Sequence, residues 1–544
     1  MKKIYTLVFL FLISIVQFSQ SISITGNIKD LESNSPIENA KVQIKNTSSG
    51  IIDSVFSDAF GNWQYDIATS VEDEISYLPN SLEVMQNFPN PFNPSTRIGF
   101  LIPVDENVSI LVHNILGELV DQRSTFLSKG NYVVDWYSKG SAGVYFYTIT
   151  YGNQSITKKM IQLDGGNGIG LGEIRSGLSN NYFNEIAIPA VSIELVITKF
   201  SYAADTTITN IVGGENFSTF LQTIHSKYTL IDLHNDVLEV MIDDPNYHLA
   251  DLHDYNHTDI PRLQLGGVDV QFFSIWVSPT DYTNYFDQAL VMRDLFYSEL
   301  AANTSTIEQA TTMDESLQIN EQNKIAAVIG VEGGHHIEES IDKLVQLYNS
   351  GMRYLTITWN NSISWAISAA DSRTTTQGLN SFGRQVIRTL DSLGVIIDVS
   401  HTGIKTIQDI LQETSNPIIA SHSGARTVRN HTRNLYDWQI QDIANSGGVI
   451  GIVFYPPFLT SNPPANINTV IQHVDHIVNL VGTDYVAIGS DFDGIGTNVV
   501  IGLEDVSKYP DLTLALLQQG YTELEVAKFL GGNFKRVFEQ VCEN

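Results

Sequence analysis

The second half of the chain repeats one pattern, a short apolar run followed by a segment of helical length, eight times between residues 227 and 544. The runs are "TLIDLH", "VDVQFFSIWV", "IAAVIGVEG", "RYLTITW", "GVIIDVSH", "PIIASHS", "GVIGIVFY" and "YVAIGSDFDG". Between them lie amphipathic stretches such as "SIDKLVQLYNS", "FGRQVIRTLDSLG" and "VIQHVDHIVNLVG". Brief runs rich in β-branched residues read as buried strands, and parallel strands need a helix-length crossover between them. Strand and helix alternating eight times predict an α/β (β/α)8 TIM barrel, with a doubly wound open sheet as the alternative.

The polar residues of this region fall where such a barrel would use them. In "IDLHNDVLEV" an apolar run stops on His234 and Asp236, and residues two apart on a strand share one face. Glu332 ends the third run, His401 the fifth, His422 lies on the sixth and Asp491 on the eighth. Singly, each has a bland explanation: a polar turn, a strand-end histidine bonded to a carbonyl, a surface carboxylate or an Asx-turn. In a barrel, however, these strand ends converge on one mouth. Three imidazoles with two or more carboxylates suit zinc or a similar divalent ion. Five ligands and a spare carboxylate suit two ions sharing a bridge, for which Glu332 is the natural candidate.

Composition bounds the alternatives. The 544 residues imply two to four domains, and 43% hydrophobic with 17% charged residues is a globular balance. A formal charge of -30 repels phosphate backbones and anionic lipid, which argues against nucleic-acid partners and peripheral membrane attachment. "MKKIYTLVFLFLISIVQFSQS", residues 1–21, reads as a secretory signal peptide whose apolar core falls short of the ~20 residues that span a bilayer. No second apolar stretch follows, so no integral membrane segment is expected after cleavage, and the protein is expected to be secreted, periplasmic or on the cell surface. Cys542 is the only cysteine, so no intrachain disulfide can form.

Residues 22–226 are rich in Ser, Thr, Asn and Gly, with short alternating strands that indicate β-sandwiches. "ITGNIKDLESNSPIENAKVQIKNTSSG" with "SDAFGNWQYDI" resembles the carboxypeptidase regulatory-like sandwich, and its first part is assigned to 22–77. "MQNFPNPFNPSTRIGFLIP" and "AGVYFYTITYGNQSITKKMIQL" resemble the secretion and sorting domain of exported bacterial proteins, assigned to 78–165. Residues 166–226 read as the closing strands of the first sandwich and a linker, which makes the sorting-like module a nested insertion. Its internal position leaves its part in export open, and contact with a cell surface or secretion machinery would run through these modules.

From 228 to 542 the motifs become specific. "DLHNDVLEV", "IGVEGGHHI", "GMRYLTIT", "GVIIDVSH", "ASHSGARTVRNHTRN", "IGSDFDG" and "GLEDVSKYPDL" closely resemble the membrane (renal) dipeptidase family of metallopeptidases. The resemblance implies one Zn2+ held by His234 and Asp236, a second by His401 and His422, and Glu332 bridging both. It gives Asp491 the acid/base role, Arg433 the pairing with the substrate's terminal carboxylate, and Tyr455 a substrate contact; Arg426 and Arg429 are neighbouring alternatives to Arg433. The expected activity is a secreted zinc-dependent dipeptidase that opens the amide bond of dipeptides with a free C-terminus through a two-metal-activated hydroxide. The competing readings are another metal-dependent amidohydrolase, such as a lactonase or deacetylase, and a non-catalytic surface binding protein with a relic barrel. The oligomeric state is open, a homodimer included. One position departs from the pattern: Trp359 stands where animal members carry a histidine that polarises the substrate carbonyl. Indole is a poor substitute for that group, and if the fourth strand persists, Asn361 shares the inward face of Trp359 and could donate in its place.

Overall fold

The computed structural model describes residues 20–69, 81–176 and 191–543. The expected signal peptide falls almost wholly outside the described residues, as does the boundary expected at 77/78. The chain divides into two compact units, a β-rich N-terminal one and one containing Phe220–Asn544.

In the second unit, eight strands form one closed parallel sheet: β1 (Ile231–Asp232), β2 (Val270–Ile275), β3 (Ile325–Glu332), β4 (Met352–Thr356), β5 (Ile396–Asp398), β6 (Ile418–Ser423), β7 (Ile450–Ile452) and β8 (Val486–Ile488). Each strand pairs with the next, and β8 pairs with β1 to close the circle. All eight expected strands are present, and the barrel is the expected one. Several are much shorter than their apolar runs, because the polar residues at the run ends leave the ladder early and enter loops. A short strand that sequence reading did not anticipate, Ile307–Gln309, pairs with β3 outside this circle.

Alternation along the strands divides the core into two layers. Val270 and Phe272 of β2, Ala326 and Val328 of β3, Tyr354 of β4 and Ile396 of β5 cluster with Phe534 and Phe538 of the C-terminal helix Asn533–Cys542. The intervening residues Phe273, Ile275, Ala327 and Ile329 join the larger cluster shared with the surrounding helices. One such helix, Ser381–Leu393, begins where the Asn380 side chain accepts from the Gly383 N–H, ends at Gly394 with φ +68°, and buries Val386, Ile387 and Leu390. Its cap and its 3.6-residue apolar spacing are what the sequence supplies; packing on the sheet does the rest.

Strands before and after the middle of the N-terminal region share sheets. Gln20–Asp30 pairs with Asn62–Thr69 and with Asn216–Leu221, while Lys41–Asn46 lies between Ile52–Phe56 and Val191–Thr198. Among the described residues, strands from Glu83 to Ser176 pair only among themselves, in two sheets around a core that includes Phe92, Phe100, Trp136 and Tyr147.

Inside the barrel, Phe272 stacks on Tyr354 with ring centroids 5.4 Å apart and meets Phe534 edge-on at 5.2 Å. Truncating a buried Phe typically costs about 3–5 kcal/mol. Phe272→Ala is therefore expected to lower the barrel's unfolding transition strongly, as followed by calorimetry of the full chain. A transition at the wild-type temperature would show that this stack carries little of the core.

Candidate metal centre

Five strand ends deliver six polar side chains to one place. Glu332 closes β3, and its two carboxylate oxygens face different partners. Oε1 lies 2.9 Å from His401 Nε2 and 3.6 Å from His422 Nε2, whereas Oε2 lies 3.6 Å from His234 Nε2. His234 Nε2 is also 3.4 Å from Asp236 Oδ2 and 4.0 Å from Asp491 Oδ1. His234, Asp236 and Glu332 thus make one triad, and Glu332, His401 and His422 a second. Each triad offers ligand atoms within 4.8 Å of one another.

The donors fit divalent ions on grounds internal to the site. His234 Nε2 and Asp236 Oδ1 are buried without a hydrogen-bond partner. The His401 and His422 Nε2 atoms approach to 3.0 Å. Two ring nitrogens aimed at each other and at one carboxylate oxygen need a cation between them or a proton. Burial, together with the Arg433 charge, pushes His401 down to about 4, and burial with the His234 and Arg433 charges holds His422 well below its usual range. Both imidazoles are then in the neutral form that ligates metal. Burial alone would raise Glu332, yet its contacts with the His401 and His234 rings hold it well below the carboxylate range, and Tyr354, Asp236 and Glu332 raise His234 in turn despite its burial. Burial, reinforced by Asp236 and Glu332, pushes Asp491 well up.

The other ring nitrogen of each histidine is held from behind. His234 Nδ1 meets the Tyr354 hydroxyl at 2.7 Å, and His401 Nδ1 meets Asn360 Oδ1 at 2.9 Å. His422 Nδ1 meets Ser421 Oγ at 2.9 Å, and that hydroxyl donates to Asp398 Oδ2 at 2.6 Å. An amide oxygen, or a hydroxyl already committed as donor, can only accept from Nδ1–H, which leaves the Nε2 lone pairs of His401 and His422 free for a metal. A matching support holds the eighth strand: Ser490 donates through N and Oγ to Asp232 at 2.9 and 2.7 Å, and Asp491 follows it. His401 and Asp491 both take left-handed backbone, φ +63° and +65°, a conformation that side-chain-bearing residues keep only where the surroundings enforce it. Gly494 lets Asp491 and Asp236 approach, since a Cβ there would lie 2.3 Å from Asp236 Oδ2 and 2.8 Å from Asp491 Oδ1.

Arg433 is buried beside this centre and donates through a terminal guanidinium N–H to the His422 carbonyl oxygen at 3.2 Å. Its Nε has no partner, and burial lowers it to about 10. The guanidinium lies 5.4 Å from the Phe458 ring, and Tyr455 packs edge-on against the same ring at 4.7 Å. Arg426 and Arg429 are only partly buried and spend hydrogen bonds on Asn430, so of the three Arg433 alone is buried.

The expectation that Asn361 shares the inward face of Trp359 does not hold. β4 stops at Thr356, so the alternation meant to carry Asn361 onto the face of Trp359 does not reach it. Asn360 instead touches His401, a candidate ligand, while Asn361 Oδ1 is buried without a partner. Trp359 packs against Trp276 at 5.0 Å and lies 6.2 Å from the His401 ring, where it walls the centre. Sequence reading also missed Tyr354, Ser421, Asp232 and Asp398. The two aspartates left a signal in "IDLH" and "IIDVSH", an acid two or three residues before a ligand histidine; Tyr354, in an apolar run, left none.

The family model for membrane dipeptidases, peptidase family M19, matches residues 218–544. The chain belongs to this family. Human dipeptidase 3 is 36% identical over 329 residues, covering 59% of this chain, which spans 66% of the length of that relative. The solved structure of dipeptidase AC, a metallopeptidase of the same family, is 26% identical with a TM-score of 0.55, covering 58% of this chain and 99% of that one. A metallopeptidase from Rhodobacter sphaeroides, liganded with a phosphinate mimic of the dipeptide L-Ala-D-Ala, is 26% identical with a TM-score of 0.54 at the same coverages. Residues 86–162 match the secretion system C-terminal sorting domain, a module that indicates export. Among the described residues, no helix is long and apolar enough to cross a membrane.

Among M19 members the support behind the ligands is open to direct test here. Losing the group that orients a ligand histidine typically costs about 10–100-fold in metal affinity. Asn360→Ala is expected to show that loss in competition with a chromogenic chelator, and Asn361→Ala to bind as wild type does. Unchanged affinity in Asn360→Ala would show that packing alone orients His401.

Proposed function

We propose that the barrel is an exported, metal-dependent dipeptidase that hydrolyses the amide bond of dipeptides with a free C-terminal carboxylate. The observation that carries this reading is the division of Glu332 between two ligand sets, which suits a carboxylate bridging two ions. His234 and Asp236 would hold one ion, His401 and His422 the other, and zinc suits this mixture of imidazole and carboxylate donors. Bound there, the ions supply Lewis acidity and lower the pKa of water.

The chain's own residues would do the remaining work. Asp491, 4.0 Å from His234 Nε2, is placed to take a proton from the attacking water and pass it to the departing amine. Arg433 has no carboxylate partner within 4.0 Å among the described residues, and its unused N–H donors match a terminal carboxylate through a bidentate pair. Anchoring the carboxylate there orients the scissile bond toward the centre, which converts binding energy into alignment. Trp359 and Tyr455 would wall the bound peptide and exclude water. The phosphinate dipeptide mimic carried by the Rhodobacter sphaeroides relative supports the same substrate class.

The test is dipeptide hydrolysis by the full chain before and after exhaustive chelation. Activity is expected to disappear with the metal and to return with zinc, and a metal-free protein of full activity would refute the reading. Asp491→Asn is expected to retain metal while kcat falls about 10²–10⁴-fold, the usual contribution of a positioned proton carrier. Normal kcat at normal metal content would remove Asp491 from the chemistry.

A further inference from the structure

A cavity of ≈ 130 Å³ opens beside His401 and is walled by the segments that follow β4, β5 and β6. Its charged side chains are Arg426 and Arg433, and no aspartate or glutamate lines it. In a chain where acidic residues outnumber basic ones by 60 to 30, such a wall is a marked departure from the surroundings. Thr374, Thr432 and Ser423 are among the uncharged polar residues that line it. Three atoms of the lining residues are buried without a partner: Ser423 Oγ, Arg433 Nε and Asn434 Oδ1.

The two arginines are held differently. Arg433 is only 5% exposed and anchored to the His422 carbonyl. Arg426 stacks on the Tyr436 ring at 4.4 Å and gives its Nε to Asn430, and no hydrogen bond engages its two terminal nitrogens among the described residues. A guanidinium taken out of water without a counter-ion is costly, and a second one on the same small cavity adds repulsion. An anionic occupant offsets both costs, and one carboxylate satisfies one guanidinium fork. With Arg433 engaged by the α-carboxylate, the Arg426 fork is left for a second.

The geometry points to a C-terminal residue that is itself acidic: its α-carboxylate on Arg433, its side-chain carboxylate on Arg426, and dipeptides ending in aspartate or glutamate as preferred substrates. This assignment rests on the dipeptidase reading and narrows it. The unpartnered Ser423 hydroxyl and the Thr432 hydroxyl supply further donors to the same occupant. An uncharged isostere such as asparagine would leave the Arg426 charge unmatched.

The experiment compares kcat/KM for Ala-Ala, Ala-Asn and Ala-Asp on the zinc-loaded full chain. Ala-Asp is expected to exceed Ala-Asn by at least about tenfold, the size of one hydrogen bond to a charged group. The gain should appear mainly in KM. Arg426→Gln should bring the Ala-Asp to Ala-Asn ratio near one, while Arg426→Lys, which keeps the charge, retains part of it. Free aspartate should inhibit the wild-type protein competitively and better than asparagine, a comparison that needs neither turnover of an acidic substrate nor a folded variant. Equal kcat/KM for Ala-Asp and Ala-Asn, or a ratio unchanged in Arg426→Gln, overturns the assignment and leaves the dipeptidase reading standing. Resistance of all three dipeptides overturns that reading, and this one falls with it.

Discussion

A single buried carboxylate organises the barrel mouth. Glu332 ends β3 with one oxygen toward His401 and His422 and the other toward His234. A carboxylate in that position is expensive to bury unless cations or protons surround it, and Asp236 and Asp491 beside it raise the cost. Burial holds His401 and His422 neutral, so among the three histidines only His234, raised despite its burial by Tyr354, Asp236 and Glu332, supplies positive charge. The carboxyl groups of Glu332, Asp236 and Asp491 outnumber that one ring, and the unpartnered His234 Nε2 and Asp236 Oδ1 mark where a further positive charge would fit.

The fold holds this arrangement by one device used twice. At the end of β1, Asp232 accepts from the backbone and hydroxyl of Ser490, and at the end of β5, Asp398 accepts from the backbone and hydroxyl of Ser421. Each serine immediately precedes a site residue, Asp491 in one case and His422 in the other. A buried carboxylate on one strand thus sets the position of a functional group on its neighbour in the sheet. Below His234 the support is apolar instead: Phe534 packs on Phe272, Phe272 on Tyr354, and the Tyr354 hydroxyl reaches His234 Nδ1. Core packing and ligand orientation are one chain of contacts there.

The eight apolar runs disclosed the barrel because parallel strands buried on both faces must be short, apolar and separated by crossovers. His234, Asp236, Glu332, His401, His422 and Asp491 stood out because polar residues at the ends of such runs have few structural reasons to recur. Register beyond a strand end was not legible. β4 ends at Thr356, and past that point periodicity no longer says which face a residue takes, so Asn360 was missed in favour of Asn361. Tyr354 was hidden for another reason: a tyrosine in an apolar run packs like its neighbours, and only three-dimensional contact shows that its hydroxyl holds a histidine.

The same local geometry bears on substrate length. Arg433, in the segment after β6, is tied to the backbone carbonyl of His422 on β6, so the group proposed to read the carboxylate is fastened to a proposed metal ligand. The spacing between them cannot stretch without breaking a buried hydrogen bond to a charged donor. On the proposed reading, that fixed spacing acts as a ruler: a dipeptide places its single amide bond at the centre when its carboxylate meets Arg433. On that reading, Trp359 and Trp276, whose rings pack together at 5.0 Å with Trp359 6.2 Å from the His401 ring, would crowd the N-terminal residues of a longer peptide anchored the same way. Selection for two residues then arises from where the carboxylate is held and from what closes the other side, with no separate recognition of the peptide's amino end required.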